Sequence, residues 1–306
     1  MTPPLVAIVG DVMNDVIVRP SGPTSARTDT PSRIARSPGG SGANQAAWLA
    51  SFGVPVRFAG RVGAVDAEEH RLALAGTGVD ARLVVVPDRP TGTVVALVGP
   101  DGERSMFTDR GANGVAVGGD LPADLLDGAA LLHLSAYHLF EESTRRALGP
   151  PWAQARASGL PLSVDPASVS GLVGCGADEF FRATEGASLL LPNLDEGRFL
   201  SGHDSPEDIV ATLVDRYPLV VLKLGPDGAL AGDSAGTRVR LAAETGEVLD
   251  STGAGDAFCA GFLAPWIEGR DLAVCLAAAL ATAARAVGQV GARPDRGPQA
   301  TRRIES

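Results

Sequence analysis

The stretch Asp250-Ser251-Thr252-Gly253-Ala254-Gly255-Asp256-Ala257-Phe258 carries the most chemistry in the chain. Gly253 and Gly255 leave backbone N–H groups uncovered where a helix starts, and orphan donors at the positive end of a helix dipole make an anion site. Such a turn can hold a phosphate as it transfers. Asp256, in the first helical turn, is placed to take the proton of an attacking hydroxyl, the general-base task of phosphoryl transfer. The competing reading is a plain capped helix, with Ser251 or Thr252 at the N-cap and Asp256 favouring the dipole. A second segment, Gly39-Gly40-Ser41-Gly42-Ala43-Asn44-Gln45-Ala46-Ala47, also sets glycines ahead of a helix. It lets a ligand approach the backbone closely, and Asn44 offers an amide to hydroxyls. Its competing reading is a loop with an asparagine near the cap.

These residues need elements to hold them. A continuous apolar run over 5–10 is typical of a buried parallel strand, and a second extended piece follows over 16–19. Residues 20–38, rich in Pro, Ser, Thr and Arg, read as loop or exposed strand. A helix over 42–52 is ended by Gly53, and 56–60 returns as a strand. The clearest hairpin pairs 93–98 with 104–108 through Pro100-Asp101-Gly102-Glu103, and its half-buried strands suggest a small flap. Short aliphatic strands at 131–134, 160–164, 189–191 and 219–222 alternate with helices at 141–157 and 206–217. A second hairpin turns at Pro226-Asp227-Gly228, and helices at 254–267 and 271–287 follow. Alternation predicts an α/β fold, a mostly parallel sheet with helices on both faces. Gly76-Thr77-Gly78-Val79-Asp80-Ala81 fits G-x-G-x-x-A but ends a helix and precedes a strand, the reverse of dinucleotide-binding order, so it is a turn.

Taken together, the segments resemble the ribokinase-like (PfkB-type) carbohydrate kinase family. The resemblance runs from Gly10-Asp11-Val12-Met13-Asn14-Asp15 through the Gly39 segment, Pro192-Asn193-Leu194-Asp195-Glu196 and Leu224-Gly225-Pro226-Asp227-Gly228 to the Asp250 segment. It implies a single domain over 1–306 with a three-layer α/β/α core and a small β-stranded lid from approximately 12–38 and 91–110. By the same resemblance Asp256 is similar to the catalytic base, and Gly253, Ala254 and Gly255 to the anion hole. Asp15, Gly39, Gly40 and Asn44 correspond to sugar contacts, with Asp11 as a neighbour. Asn193 and Glu196 match Asn-x-x-Glu, which helps hold Mg²⁺ and ATP phosphates, usually through water. Lys223, with the turn at Gly225 and Gly228, falls beside the nucleotide, and a solvated surface role is its alternative. Asp250 and Thr252, with backbone from Ala286 and Gly291, resemble a monovalent-cation site, which makes K⁺ a candidate. In several relatives the lid pairs with a second subunit, so a homodimer through the lid is an expectation.

Three sugar-facing positions depart from ribokinases in the strict sense: Ser41, Met13 and Ser135 stand where lysine, asparagine and glutamate are expected. The acceptor is therefore left open among a pentose, a hexose and a 2-keto-3-deoxy sugar acid, Arg104 and Arg110 being candidates to pair with a carboxylate. A nucleoside kinase is the nearest alternative, with Phe107 as the candidate base-stacking residue, and a non-catalytic sugar-sensing protein is the alternative of another class.

Composition bounds these readings. The 306 residues suffice for one large core, and a net charge of -10 with 5% aromatics disfavours nucleic acid and anionic membranes as partners. Lys223 is the only lysine and is flanked by leucines, which excludes a Walker A loop. The three cysteines, Cys175, Cys259 and Cys275, show no C-x-x-C spacing, and the N-terminus lacks a basic leader, so a reducing cytoplasm is expected. His133 within an apolar strand reads as a satisfied core residue, and Arg145-Arg146 and Arg302-Arg303 as pairs on solvated faces.

Overall fold

A computed structural model describes residues 3–23, 27–99, 104–116, 121–244, 246 and 248–295. The chain opens with β1 (Leu5–Val9), β2 (Met13–Pro20), β3 (Ser32–Gly39), α1 (Ser41–Ser51), β4 (Val56–Gly63), α2 (Ala67–Ala75) and β5 (Val79–Val86). It continues through β6 (Gly92–Val98), β7 (Arg104–Asp109), β8 (Ala129–Ser135), α3 (Glu142–Ala157), β9 (Leu162–Asp165), α4 (Val169–Cys175) and α5 (Ala177–Ala183). The last third holds β10 (Leu189–Leu190), α6 (Leu194–Ser201), α7 (Pro206–Leu213), β11 (Leu219–Lys223), β12 (Ala229–Asp233), β13 (Arg238–Leu241), α8 (Ala254–Trp266) and α9 (Leu272–Val287). The helix expected over 206–217 stops at Leu213. The 100–103 turn, the Arg104 side chain and Arg302-Arg303 lie outside the described residues.

A nine-stranded sheet runs in the order β13-β12-β11-β10-β9-β8-β1-β4-β5, parallel from β11 to β5 and antiparallel at the β12 and β13 edge. Side chains of a strand alternate between faces, so β1 feeds two cores. Val6 and Ile8 pack with Trp48, Phe258, Phe262 and Leu276 of α1, α8 and α9. Ala7 and Val9 pack with Leu148, Trp152, Phe180 and Ile209 of α3, α5 and α7. This gives three layers. β1 lies between β8 and β4, where strand order reverses, and ligands of open α/β sheets bind at the carboxyl ends of strands beside such a reversal. There α1 presses its first turn against the end of β1: a Cβ on Gly42 would fall 2.5 Å from the Gly10 Cα, so the approach needs glycine.

The second sheet, β3-β2-β6-β7, has four strands, with β2 antiparallel to β3 and parallel to β6. Register puts Asp15, Val94 and Thr108 on one face and Val16, Val95 and Phe107 on the other. Phe107 is thus corrected as a stacking candidate: it is 60% exposed and points away from the face of Asp15. Arg145 is also corrected, since it is not on a solvated face. Its guanidinium is mostly covered, paired with Glu179 at 3.0 Å and donating to the Leu139 carbonyl. Arg146 is exposed, as expected.

Candidate active site

The first turn of α8 has no side-chain cap. Gly253 is its N-cap, in the left-handed region at φ 77°, which overturns the alternative with Ser251 or Thr252 in that role. A side chain at 253 would also strike Ala292 at 2.7 Å. The Ala254 N–H turns back to the Ser251 carbonyl at 3.3 Å, whereas those of Gly253 and Gly255 have no partner among the described residues. Gly255 is exposed and Gly253 half-buried, so the positive end of the helix dipole is open to solvent at Gly255.

Asp256 follows immediately. Its Oδ1 accepts from Ser41 Oγ at 2.6 Å and its Oδ2 from Asn44 Nδ2 at 3.0 Å, both on the first turn of α1. Burial pushes its carboxyl up to about 7; the Ser41 and Asn44 bonds oppose this, and Asp165 and Asp11 add to it. A carboxylate so placed exchanges its proton near neutrality, as a general base must. Asn44 does not cap α1. Gly40 is the N-cap, and no side chain caps it.

Asp11, just past β1, is buried and accepts from the Gly42 N–H at 3.1 Å, with Arg110 Nη1 at 4.0 Å. Asp15 on β2 lies directly against Gly39, where a Cβ would overlap its carboxylate. Burial foremost, then Asp11, push the Asp15 carboxyl up to about 6, and Arg293 opposes them. Arg293 donates to the Asn44 Oδ1 at 3.2 Å and to the Gly39 carbonyl at 3.1 Å. Asp11, Asp15, Gly39, Gly40 and Asn44 thus form one continuous wall.

Lys223 ends β11, and its ammonium is paired with the buried Asp165 at 2.9 Å. The solvated alternative is therefore corrected. Its Nζ lies 3.9 Å from the Cβ position of Gly255, so the chain's one lysine flanks the open helix start. Asn193 and Glu196 form a capping box at α6: the Glu196 N–H donates to Asn193 Oδ1 at 2.9 Å, and the Asn193 N–H to Glu196 Oε2 at 2.8 Å. A backbone bridge joins Asn193 to Lys223. Burial, opposed by Lys223, pushes the Glu196 carboxyl up to about 7. Gly225 and Gly228 bound the turn after β11 with φ of 60° and 89°. Asp250 is buried and accepts from the N–H groups of Thr252 at 2.8 Å and Gly291 at 3.3 Å. Its own N–H donates to the Val287 carbonyl, beside Ala286.

Three residues of this cluster escape the sequence reading: Gln45, Asp165 and Arg293. Gln45 Nε2 lies 2.7 Å from Asp165 Oδ2 and 3.2 Å from Asp256 Oδ1. The usable signal was spacing, since Ser41, Asn44 and Gln45 at i, i+3 and i+4 are polar residues on one face of an alanine-rich helix. Asp165 carries only the weaker cue of ending a strand.

A profile described as pfkB family carbohydrate kinase matches residues 3–298. The ATP-dependent ribose-1-phosphate kinase of Halopiger xanaduensis is 31% identical over 262 residues, covering 84% of this chain and 83% of that protein. Among solved structures, Arabidopsis thaliana ribokinase complexed with ribose and ATP superposes with a TM-score of 0.77 at 26% identity over 97% of each chain. Adenosine kinase from Sinorhizobium meliloti has a TM-score of 0.84 at 23% identity over 96% of each chain, a likeness of fold.

Proposed function

The chain belongs to the pfkB family of carbohydrate kinases, and on that premise we propose that it transfers the γ-phosphoryl of ATP to a hydroxymethyl group of a small sugar or sugar derivative, with Asp256 as the base. The observation that carries this reading is the pairing of Asp256, clamped by Ser41 and Asn44, with an uncapped helix start at Gly253 and Gly255. The acceptor lies along Asp11, Asp15, Gly39, Gly40 and Asn44, whose carboxylates and amide suit a polyol. Its hydroxyl gives a proton to Asp256 and attacks the γ-phosphorus in line. The N–H groups of Gly253 and Gly255 take up the charge that develops, and Lys223 adds a fixed positive charge beside Gly255. The β3-β2-β6-β7 sheet serves as the lid that excludes water, and its open strands are where a second copy would pair.

Mg²⁺ fits beside Glu196, whose carboxylate is spent on the capping box but retains lone pairs for a water-mediated contact. When bound, the ion neutralises charge on the ATP phosphates. The Asp250 carboxylate with carbonyls of Thr252, Ala286 and Gly291 suits K⁺, because Asp250 draws those two loops together. Family members are phosphotransferases on sugar hydroxyls, so the non-catalytic sensor is set aside.

A nucleoside acceptor is a second reading, favoured by one observation. The lid face of Asp15 continues into Ile17, Val94, Ala96 and Met106, an aliphatic surface that suits a base. ATP turnover with Mg²⁺ across pentoses, hexoses, 2-keto-3-deoxy sugar acids and nucleosides separates the two. A sugar as the sole phosphorylated acceptor supports the first reading, and a nucleoside the second. Absence of any phosphorylated product across the panel would count against both.

A further inference from the structure

Behind the Asp256 carboxylate lies a buried chain of side chains that the proposed reaction does not use. Ser163 Oγ and His133 Nδ1 are 2.7 Å apart, His133 Nε2 and Gln45 Oε1 are 2.9 Å apart, and Gln45 Nε2 faces Asp165, Asp256 and Ser41 Oγ. His133, Ser163 and Gln45 are each fully buried.

The directions of these bonds follow from the chemistry. Gln45 must turn its NH₂ toward the two carboxylates, since the opposite flip would aim its oxygen at them. Its oxygen can then only accept, so His133 carries its proton on Nε2, and His133 Nδ1 must accept from the Ser163 hydroxyl. Burial, with Lys223 adding to it and Asp165 opposing it, drops His133 to about 4, which keeps the ring neutral. Every donor in the row therefore points toward the active site. At its end one amide is shared by two carboxylates, and Asp165 is anchored from its other oxygen by Lys223 at 2.9 Å.

We propose that Gln45 is a positioning residue for Asp256, and that His133 fixes the Gln45 amide in the orientation that lets it clamp Asp256 to Asp165. The proposal rests on Asp256 being the base. Without the clamp, Asp256 loses a donor to its ionised form and the direction of its oxygens relative to the acceptor.

The test compares Gln45→Leu, His133→Leu and His133→Gln in the full-length protein, with the acceptor found above. Glutamine at 133 retains an N–H for the Gln45 oxygen and leucine does not. Gln45→Leu is expected to lower kcat by about 10²-fold, with both KM values within about twofold of the parent. The acidic limb of its kcat–pH profile moves to higher pH, because a donor to the carboxylate is gone. Besides Gln45, Asp256 is faced by its donors Ser41 and Asn44 and by the titratable groups Asp165, Asp11, Cys259 and Tyr137, with Lys223 reaching it through Asp165 and Arg293 through Asn44, and all are unchanged in these variants. His133→Leu should reproduce the shift, and His133→Gln should run with the parent. An unmoved acidic limb in Gln45→Leu, or equal behaviour of the two His133 variants, overturns the proposal. Should Gln45→Leu not fold, the His133 pair decides by the same criterion. Asp256→Asn separates the two levels: activity near the parent refutes the base assignment itself, whereas an inactive Asp256→Asn with an unmoved limb in Gln45→Leu refutes only the clamp.

Discussion

At the scale of single residues, the role proposed for Asp256 as base carries a cost in stability. Its carboxyl is pushed up to about 7, so kcat should rise through that pH and level off above it. The same shift costs stability. Below the unfolded-state pKa near 3.9 both states are protonated and nothing is lost, but above it the unfolded chain ionises first. Stability is therefore lost progressively up to about pH 7. Asp256→Asn sets its amide nitrogen against the NH₂ of either Gln45 or Asn44 but does not titrate, so its Tm is expected to rise relative to the parent's between pH 4 and pH 8, measured by thermal unfolding at both. Lys223 and Asp165 make the opposite case, a buried pair held for geometry. Lys223→Met leaves a buried carboxylate uncompensated and should cost about 3–5 kcal/mol in urea unfolding. The double variant Lys223→Met with Asp165→Asn should recover part of that loss, and no recovery would mean that the pair is not coupled.

Elements position these residues by close backbone approach as much as by side-chain packing. Gly42 meets Gly10 where α1 touches β1, and Gly253 starts α8 at φ 77° against Ala292. Gly253→Ala adds a strained left-handed alanine and a clash, so α8 must shift and take the open N–H groups with it. The expected result is a kcat loss of about 10²-fold with a smaller change in acceptor KM. Parental kinetics would show that the helix start is not where charge develops. Much of this scale was legible in the sequence. The α1 and α8 starts, the β1 run and the β6–β7 pairing follow from glycine placement and apolar periodicity, which are local. The face of Phe107 was not legible, because it depends on the register of β7 against β6 and β6 against β2. Nor was the partner of Lys223, since Asp165 is 58 residues away and reaches it only through the sheet. Arg145 misled for the same reason, its carboxylate partner lying on a different helix.

For the molecule as a whole, the strand reversal at β1 brings residues from both halves of the chain, Asp11 and Asn44 from one and Asp256 from the other, to one end of the large sheet. Among the described residues no helix is long and apolar enough to cross a membrane. A cation held at Asp250, between the segment before α8 and the segment after α9, should tighten the α8 start, so turnover should be several-fold higher in KCl than in a tetramethylammonium salt at equal ionic strength. Equal rates in the two salts would remove K⁺ from the account. The most direct test of the central claim is the single-turnover rate of phosphoryl transfer from ATP to the acceptor in the parent and in Asp256→Asn, measured at pH 8 with folding checked by circular dichroism. Loss of the base predicts a fall of about 10²–10⁴-fold with ATP binding retained. A folded Asp256→Asn protein that phosphorylates the acceptor at the parental rate would contradict it.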